Sequence, residues 1–531
     1  MAEPMNVVKR FFCLSQSISI DLLRPAIVCV LVMLSCSSFG TEAGSDRAAT
    51  QTFVKTLHLT PPKPGESRYL YVPFQVPPNT SRISFSYEYE KTNGSNALDI
   101  GVFDSRATAN AGDVSGFRGW SGGRRSEVFI SRDDATPGYI PGELPAGTWR
   151  IILGLYRIVP EGVDVTCKID FEIHENNETN LAPAASPTQR FAVPSLSSVV
   201  MTSQRQAIVA RKAPFWVSGD LHLHTINSDG DWTVPQLMIA AKNASLDFIA
   251  ITDHNTYSHH AEIDRLSNSE KDLLVIRGEE ITTYGGHVNA WGLASNALID
   301  FRVQPGDREA MSRIASEARR RGCVVSINHP FAACVGCNWS YDAEANGFDA
   351  IEVWNGSWDN LDEQALALWD SLLQKGRRIT AIAASDSHRP TSPVGQPTTH
   401  VAIDSGLSVA AVLNSIRAGR AYLTSSVSAP VVRFEAEALA NHTMHSIGDV
   451  IRPGNSRRLR FKFEAHDIPA SAAIFLISHG RVIRTLPVSA DGQPQFVEVD
   501  SDSHTYFRVE VRDQNGMMLA LTNPIYVEGK R

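Results

Sequence analysis

The chain has 531 residues, of which 43% are hydrophobic and 20% are charged, and its formal net charge is -8 at pH 7. This length allows about two to four domains with large hydrophobic cores. The negative charge argues against a global basic field. We therefore expect no stable complex with nucleic acid and no electrostatic attraction to acidic membranes.

Residues 1–43 predict an export signal. Lys9 and Arg10 precede the apolar run PAIVCVLVML at 25–34, and small residues follow it. The run is too short to span a bilayer comfortably, and we expect cleavage after Gly40 or Ala43. This predicts a periplasmic or secreted protein with no membrane span after cleavage. An uncleaved anchor and a lipoprotein acylated on Cys36 are the alternatives.

Residues 50–175 carry the signals of an N-terminal β-sandwich. Apolar and polar side chains alternate in stretches such as ISFSYEY at 83–89, and turn-forming clusters such as TNGSN and LPAGT separate them. This alternation is typical of half-buried strands, and repeated short strands favour a sandwich. Residues 176–214 are rich in Asn, Pro, Ala and Ser, which predicts a linker.

Residues 215–427 alternate apolar, strand-like runs with helical patterns. The runs are GDLHLHT, LDFIAITDH, LLVIRGEEI, HVNAWG, CVVSINHP, FDAIEVWN and RITAIAASDSH, and helices are expected at 234–243, 307–320 and 361–375. Thr233 and Gln236 stand in capping-box positions at the start of the first helix. Buried strands of this kind, several of them linked by helices, predict a parallel α/β barrel.

Residues 428–531 return to β patterning, as in LRFKF at 459–463, and predict a second, C-terminal β-sandwich.

Between the strands of the middle segment, Cys334 and Cys337 form a CxxC motif, and Cys323 lies just upstream. In an exported protein a local disulfide is favoured over a reactive thiol pair, and zinc binding by this motif is the alternative.

Potential metal ligands stand at or near the ends of the predicted strands of the middle segment. They are His222, His224, Asp229, Asp253, His254, Glu280, His287, His329, Asp386 and His388. In α/β barrels the carboxyl ends of the strands build the active site, so residues distant in the chain converge there. Imidazole and carboxylate groups bind zinc, manganese or iron, and a bridging carboxylate allows two ions to lie close together.

These motifs resemble the PHP superfamily, named for polymerase and histidinol phosphatase. The resemblance is carried by HxH with Asp229, TDH at 252–254, GEE at 278–280, GH at 286–287, HP at 329–330 and SDSH at 385–388. IRAGRAYLTSS at 416–426 is similar to a segment that follows this domain in relatives. With flanking β modules and an export signal, the chain is most similar to the carbaryl-hydrolase-type subfamily. The resemblance implies a distorted (β/α)7 barrel with two or three divalent metal ions.

The resemblance also implies how the ions share the ligands. His222, His224, Glu280 and Asp386 would hold the first ion, Glu280, His287 and His329 the second, and Asp229, His254 and His388 the third. Glu280 would bridge the first two ions. Glu279 is its rival, but neighbours in a strand point to opposite faces, so only one of the pair is expected to face the ions.

Such a centre indicates hydrolysis by a hydroxide held between two ions. No Gly-rich phosphate loop or GxSxG motif overlaps the site. The superfamily's majority chemistry favours a phosphoesterase that acts on phosphate mono- or diesters such as nucleotides or oligonucleotides. Arg389, directly after SDSH, is a candidate to bind a phosphate oxygen.

Two other functions stay open. The first is hydrolysis of a carboxylic or carbamic ester such as an aryl carbamate, for which Trp339, Trp354 and Trp358 would either line an aromatic pocket or serve as packing. The second is a non-catalytic metal- or carbohydrate-binding role for an exported protein. His400 is a further candidate for the neighbourhood of the site.

Overall fold

The structure is a computed structural model that describes residues 49–174 and 215–528, apart from 92–93, 109–111, 269, 343, 345, 429, 453–456, 487 and 489–491. The predicted export signal at 1–43 and the predicted linker at 176–214 lie outside the described residues. Within the described part of the chain, no helix is both long and apolar enough to cross a membrane.

The N-terminal module consists of two antiparallel sheets. Its strands are β1 Ala49–Leu59, β2 Tyr69–Val76, β3 Thr80–Tyr89, β4 Ala97–Phe103, β5 Phe117–Gly122, β6 Glu127–Ser131, β7 Gly147–Arg157 and β8 Val163–Ile173. The sheet orders are β1-β8-β3-β6 and β2-β7-β4-β5. Phe85 and Phe171 of the first sheet share one hydrophobic core with Leu98 and Trp149 of the second. The alternation of apolar and polar residues places these side chains inside.

The central segment is a mixed α/β structure. Its elements are β9 Phe215–Asp220, α1 Val234–Asn243, β10 Phe248–Ile251, α2 His260–Ser267, β11 Leu274–Thr283, β12 Gly286–Trp291, α3 Arg308–Arg320, β13 Val324–Asn328, β14 Ala350–Asn355, α4 Asn360–Gln374, β15 Thr380–Ala384, β16 Thr398–Ile403, α5 Val409–Arg417 and β17 Ala421–Thr424. The strands lie in the order β15-β14-β13-β12-β11-β10-β9-β16-β17. The capping box of Thr233 and Gln236 is present at α1, and the three predicted helices are confirmed within one residue at each end.

The predicted parallel α/β barrel is wrong in the direction of two strands. Strand β12 runs antiparallel to β11 and β13, and β16 runs antiparallel to β9. Only Tyr284 and Gly285 link β11 to β12, whereas a parallel connection needs about a dozen residues or more. On the side away from β14, β15 contacts β16 through Thr399, whose hydroxyl donates a hydrogen bond to Ala383 O at 2.7 Å. Closure into a (β/α)7 barrel stays a prediction.

The strand predicted at GDLHLHT, residues 219–225, begins and ends earlier in the chain than expected. β9 ends at Asp220, and beyond it Leu223 makes one isolated bridge to Ser387. The backbone N–H of Leu223 donates to Thr252 Oγ1 at 3.2 Å, and that of Thr225 donates to Asp253 Oδ1 at 2.7 Å. Because side chains replace part of the strand ladder here, His222 and His224 follow the strand instead of lying within it.

The C-terminal module continues the central sheet. Its strands are β18 Val431–Ala438, β19 Thr443–Ser446, β20 Val450–Ile451, β21 Arg458–His466, β22 Ala473–Ser478, β23 Arg481–Leu486, β24 Gln495–Asp500, β25 Tyr506–Arg512, β26 Met518–Thr522 and β27 Ile525–Val527. One sheet has the order β19-β18-β21-β24, while β26-β25-β22-β23 extends the central sheet from β17. The predicted domain boundaries, 50–175, 215–427 and 428–531, stay predictions.

Candidate metal centre

The carboxylate of Glu280 lies at the centre of a group of imidazoles. Its Oε1 is 3.2 Å from His222 Nε2, 3.1 Å from His287 Nδ1 and 3.3 Å from His329 Nε2, and its Oε2 is 2.7 Å from His254 Nδ1 and 3.6 Å from His224 Nε2. Glu280 is fully buried in β11. Five histidines from four segments of the chain, after β9, β10 and β13 and at the start of β12, therefore surround one carboxylate, and a carboxylate that is approached at both oxygens could bridge two ions.

Asp386 completes the group on the side of His222 and His224. Its Oδ1 lies 3.4 Å from His222 Nε2 and 3.1 Å from His224 Nε2. The backbone of Asp386, two residues after the end of β15, is left-handed, with φ of 52°. Strain of this kind in a non-glycine residue persists only where its surroundings hold it. Here Asp220 accepts hydrogen bonds from Ser385 N at 3.1 Å and Ser385 Oγ at 2.5 Å.

A third carboxylate, Asp229, faces the imidazoles of His254 and His388. Its Oδ1 is 3.4 Å from His254 Nε2 and 3.2 Å from His388 Nε2. His224 joins this group, and one ligand atom from each of the four residues lies within 4.8 Å of the others. His254 therefore faces both Asp229 and Glu280, whereas the resemblance assigned it only to the third ion.

The arrangement of the candidate ligand atoms fits bound cations. The four groups of mutually close ligand atoms together contain all nine side chains to which the resemblance assigns an ion: His222, His224, Asp229, His254, Glu280, His287, His329, Asp386 and His388. Several of their buried atoms have no hydrogen-bond partner, namely His222 Nε2, both ring nitrogens of His224, Asp229 Oδ1, Glu280 Oε2 and Asp386 Oδ1. Buried polar atoms are normally satisfied. Converging, unsatisfied nitrogen and oxygen atoms fit divalent metal ions.

The electrostatics keep the carboxylates ionised. Burial opposes the charge on Glu280, but His222 and His254 outweigh it and hold its pKa well below the usual range. Asp386 has a similarly lowered pKa because of His222 and His224. Burial, with the nearby charges of His388 and His254, lowers the pKa of His224 to about 4. A neutral imidazole and ionised carboxylates are the forms that bind metal.

Glu352 is a residue of the site that the sequence prediction missed. It is fully buried in β14. Its Oε1 lies 3.1 Å from His222 Nδ1, and its Oε2 accepts hydrogen bonds from His329 N at 2.8 Å and Asn355 Nδ2 at 3.1 Å. A proton on His222 Nδ1 would be shared with Glu352, which leaves Nε2 free to face Glu280. The only hint in the sequence is one carboxylate in the otherwise apolar start of this strand, AIEV.

We expect Glu352→Gln to weaken metal binding by about 10–100-fold, because partners that orient metal-binding histidines commonly contribute that much. The matched control is Glu279→Gln. Glu279 is also fully buried but accepts a hydrogen bond from Ile299 N at 2.8 Å and belongs to none of the ligand groups. Titration calorimetry on both metal-free variants measures the difference. Equal affinities would contradict the role of Glu352.

Asp253 shapes the loop that carries Asp229 and does not join the ligand groups. Its carboxylate accepts hydrogen bonds from Thr225 Oγ1 and Ser228 Oγ, both at 2.6 Å, and lies 3.2 Å from His259 Nδ1. Its neighbour His254 points to the other side of the chain, toward Glu280. The TDH motif therefore supplies one candidate ligand and one residue that orders the loop.

The aromatic candidates differ in position. Trp354 and Trp358 are buried and pack edge to face with ring centroids 5.1 Å apart. Trp339 is half-buried and packs against Tyr341 with ring centroids 5.1 Å apart. Burial leaves Trp354 and Trp358 as core packing, so a wall of three tryptophans around a pocket is not formed.

Arg389 and His400, the other two candidate residues, also differ in position. Arg389 is exposed, and its Nε lies 3.9 Å from Asp231 Oδ2. His400 is buried in β16, where its ring lies 2.9 Å from Ser218 Oγ and 2.7 Å from Thr424 Oγ1. The partners of His400 are thus outside the ligand groups.

The predicted local disulfide between Cys334 and Cys337 is present, and Cys323 is free and buried.

Comparison with known proteins gives distant similarities only. No protein-family model and no curated protein matches the chain. A two-domain protein from Bacteroides vulgatus that contains a predicted PHP-like metal-dependent phosphoesterase is 18% identical over 59% of this chain and 96% of its own, with a TM-score of 0.34. A putative metal-dependent phosphoesterase from Bifidobacterium adolescentis is 17% identical over 33% and 90%, with a TM-score of 0.27. An amidohydrolase from Chromobacterium violaceum is 17% identical over 38% and 96%, with a TM-score of 0.25. These similarities are too weak to assign a fold or an activity, so the metal centre rests on the chain's own geometry.

Proposed function

We propose that the chain is an exported, metal-dependent hydrolase of PHP type, with two or three divalent ions of zinc, manganese or iron in a distorted (β/α)7 barrel. The observation that carries the proposal is the carboxylate of Glu280, which five imidazoles approach within 3.6 Å. The unsatisfied ligand atoms of His222, His224 and Asp386 around it support the same conclusion.

The residues of the chain prepare this centre for hydrolysis. When bound, divalent ions activate water as a nucleophile and polarise the ester oxygen. Glu352 orients the ring of His222 through Nδ1, at 3.1 Å. The backbone oxygen of Asp386 lies 2.8 Å from His388 Nδ1, which leaves His388 Nε2 to face Asp229. These contacts fix the rings before a substrate arrives, so little reorganisation is needed during the reaction.

Two exposed arginines that contact Asp231, two residues after Asp229, favour a phosphate ester as the substrate. Arg389 and Arg124 both contact Asp231, at 3.9 and 2.6 Å, and their side chains are 57% and 43% exposed. A guanidinium group binds phosphate oxygens with two parallel hydrogen bonds. By contrast, the burial of Trp354 and Trp358 removes two of the three aromatic side chains considered for an aryl carbamate pocket.

The test is turnover by the full-length protein loaded with zinc, manganese or iron. We expect hydrolysis of p-nitrophenyl phosphate or a dinucleotide diester, but not of 1-naphthyl N-methylcarbamate. Arg389→Ala is expected to raise KM for the phosphate substrate about tenfold or more, because a hydrogen bond to a charged group contributes about 1.5–3 kcal/mol.

The matched control is Arg132→Ala, since Arg132 is exposed and pairs with Glu143 at 3.2 Å within the N-terminal module. This variant should keep the KM of the unmodified protein. Turnover of the carbamate alone would replace the phosphoesterase proposal with the ester hydrolase. No turnover by a fully loaded protein would favour a non-catalytic metal- or carbohydrate-binding role.

A further inference from the structure

The loop that carries Asp229 is held at both ends by the N-terminal module. Arg124 and Arg125 are neighbours in the turn between β5 and β6. Arg125 Nη2 donates to Ile226 O at 2.7 Å, near the start of the loop. Arg124 Nη2 contacts Asp231 Oδ1 at 2.6 Å, near its end. Asp229 lies between these two points of attachment.

Asp231 links Arg124 to the segment that carries another candidate ligand, His388. Its backbone N–H donates to His388 O at 2.6 Å. The side chain of Asp231 contacts Arg124, while its backbone is bonded to the segment that carries His388. Asp229 and His388, whose ligand atoms lie 3.2 Å apart, are thus both connected to the same turn of the N-terminal module.

A close backbone approach adds a steric contact. Gly138 has a left-handed φ of +96°, and a Cβ at this position would lie 2.6 Å from Asn227 O and 2.9 Å from Trp120 O. Only glycine allows the module to approach the loop at this point. Gly138 O also accepts a hydrogen bond from Thr256 Oγ1 at 3.0 Å, two residues after His254.

The N-terminal module is attached to the central segment by further contacts. Tyr284, in the turn between the strands that carry Glu280 and His287, donates a hydrogen bond to Asp99 Oδ2 at 2.6 Å. Trp120 packs against Phe301 with ring centroids 4.8 Å apart. These aromatic residues belong to one hydrophobic core that includes side chains of both the N-terminal module and the central segment.

We propose that the N-terminal module positions Asp229, through Arg124, Arg125 and Gly138, and thereby sets the occupancy of the ion site formed with His254 and His388. This inference rests on the proposed metal-dependent function. Arg124, Arg125 and Gly138 are positioning residues, since they contact the loop that carries Asp229 and belong to none of the groups of candidate ligands. The exposed ion pair of Arg124 contributes little by itself, so the contacts of Arg125 and Gly138 are expected to dominate.

The experiment uses the full-length protein and the variants Arg125→Ala, Gly138→Ala and Arg124→Ala/Arg125→Ala, with Arg132→Ala as the matched control. Ions per chain are counted by elemental analysis after equilibration with zinc or manganese at a series of free concentrations. We expect the variants to hold one ion fewer than the unmodified protein, or to need at least about tenfold more free metal to hold it. The control should bind like the unmodified protein.

Hydrogen exchange of a peptide that spans residues 225–233 in the metal-free protein gives an independent measurement. Exchange of this loop should be at least about tenfold faster in the variants than in the control, because the loop has lost its support. Gly138→Ala is the more disruptive change, and Arg125→Ala tests the attachment of the same loop through Ile226 O if Gly138→Ala fails to fold.

Unchanged ion counts and unchanged loop exchange in Arg125→Ala and the double variant would overturn the inference while leaving the proposed hydrolase intact. If the unmodified protein itself binds no ions, the proposed function fails. The exchange rates of the loop then still show whether Arg124, Arg125 and Gly138 hold it in place. Faster exchange with a full set of ions would show that the module supports the loop without controlling the ion, which also overturns the inference as stated.

Discussion

Glu280→Gln is expected to lower kcat/KM by about 1000-fold or more, because bridged ions contribute several kcal/mol of transition-state stabilisation and each 1.4 kcal/mol corresponds to tenfold. Both carboxylate oxygens of Glu280 face imidazoles, at 3.1 Å for His287 and 2.7 Å for His254. A neutral amide offers only one oxygen and no charge, so it cannot bridge two cations. Steady-state kinetics and elemental analysis on one sample measure both effects.

The neighbouring glutamate provides the control for this change. Glu279 is as deeply buried as Glu280, but its carboxylate accepts from the backbone of Ile299. Glu279→Gln should retain its ions and its activity within a few-fold. If Glu279→Gln were the inactive variant and Glu280→Gln were active, the assignment of the bridging ligand would be wrong.

Removal of the metal is expected to lower the melting temperature by about 10 °C for each ion lost. Each ion that binds only the folded state at about 1000 times its Kd adds about 4 kcal/mol to the free energy of unfolding, and about 1 kcal/mol corresponds to 2–4 °C in a domain of this size. Differential scanning calorimetry with and without a chelator measures the change. In Glu280→Gln, the chelator should have a much smaller effect. An equal melting temperature with and without chelator would contradict a structural contribution of the ions.

The stabilisation by metal should also increase from pH 6 to pH 9. In the metal-free site, burial opposes the charge on His254, but Glu280 and Asp229 raise its pKa to about 9. For His388, Asp229 and Asp386 outweigh burial and raise the pKa to about 8. Protons compete with the ions for these imidazoles, so the ions bind more tightly as the protons leave.

The convergence of the candidate ligands could be predicted because it follows from local patterns. HxH, TDH and SDSH each follow a buried strand and GEE lies near the end of one, and neighbouring strand ends meet at one edge of a sheet. The start of α1 was equally predictable, since the capping box of Thr233 and Gln236 uses only neighbouring residues. These features need no knowledge of which strands pair.

Other features depend on contacts between distant residues. The direction of β12 is set by the two-residue turn at Tyr284 and Gly285, which periodicity within each strand does not reveal. The role of Glu352 follows from its distance of 3.1 Å to His222 Nδ1, across 130 residues of chain. The contact of Arg125 with Ile226 O joins two modules that are separated by the predicted linker. No local pattern encodes these pairings.

The most direct test of the central claim is elemental analysis of the purified full-length protein after reconstitution with zinc, manganese or iron. The nine converging side chains predict two or three ions per chain, lost together in Glu280→Gln. Fewer than two ions per chain after reconstitution would contradict a bridged metal centre and the hydrolase built on it.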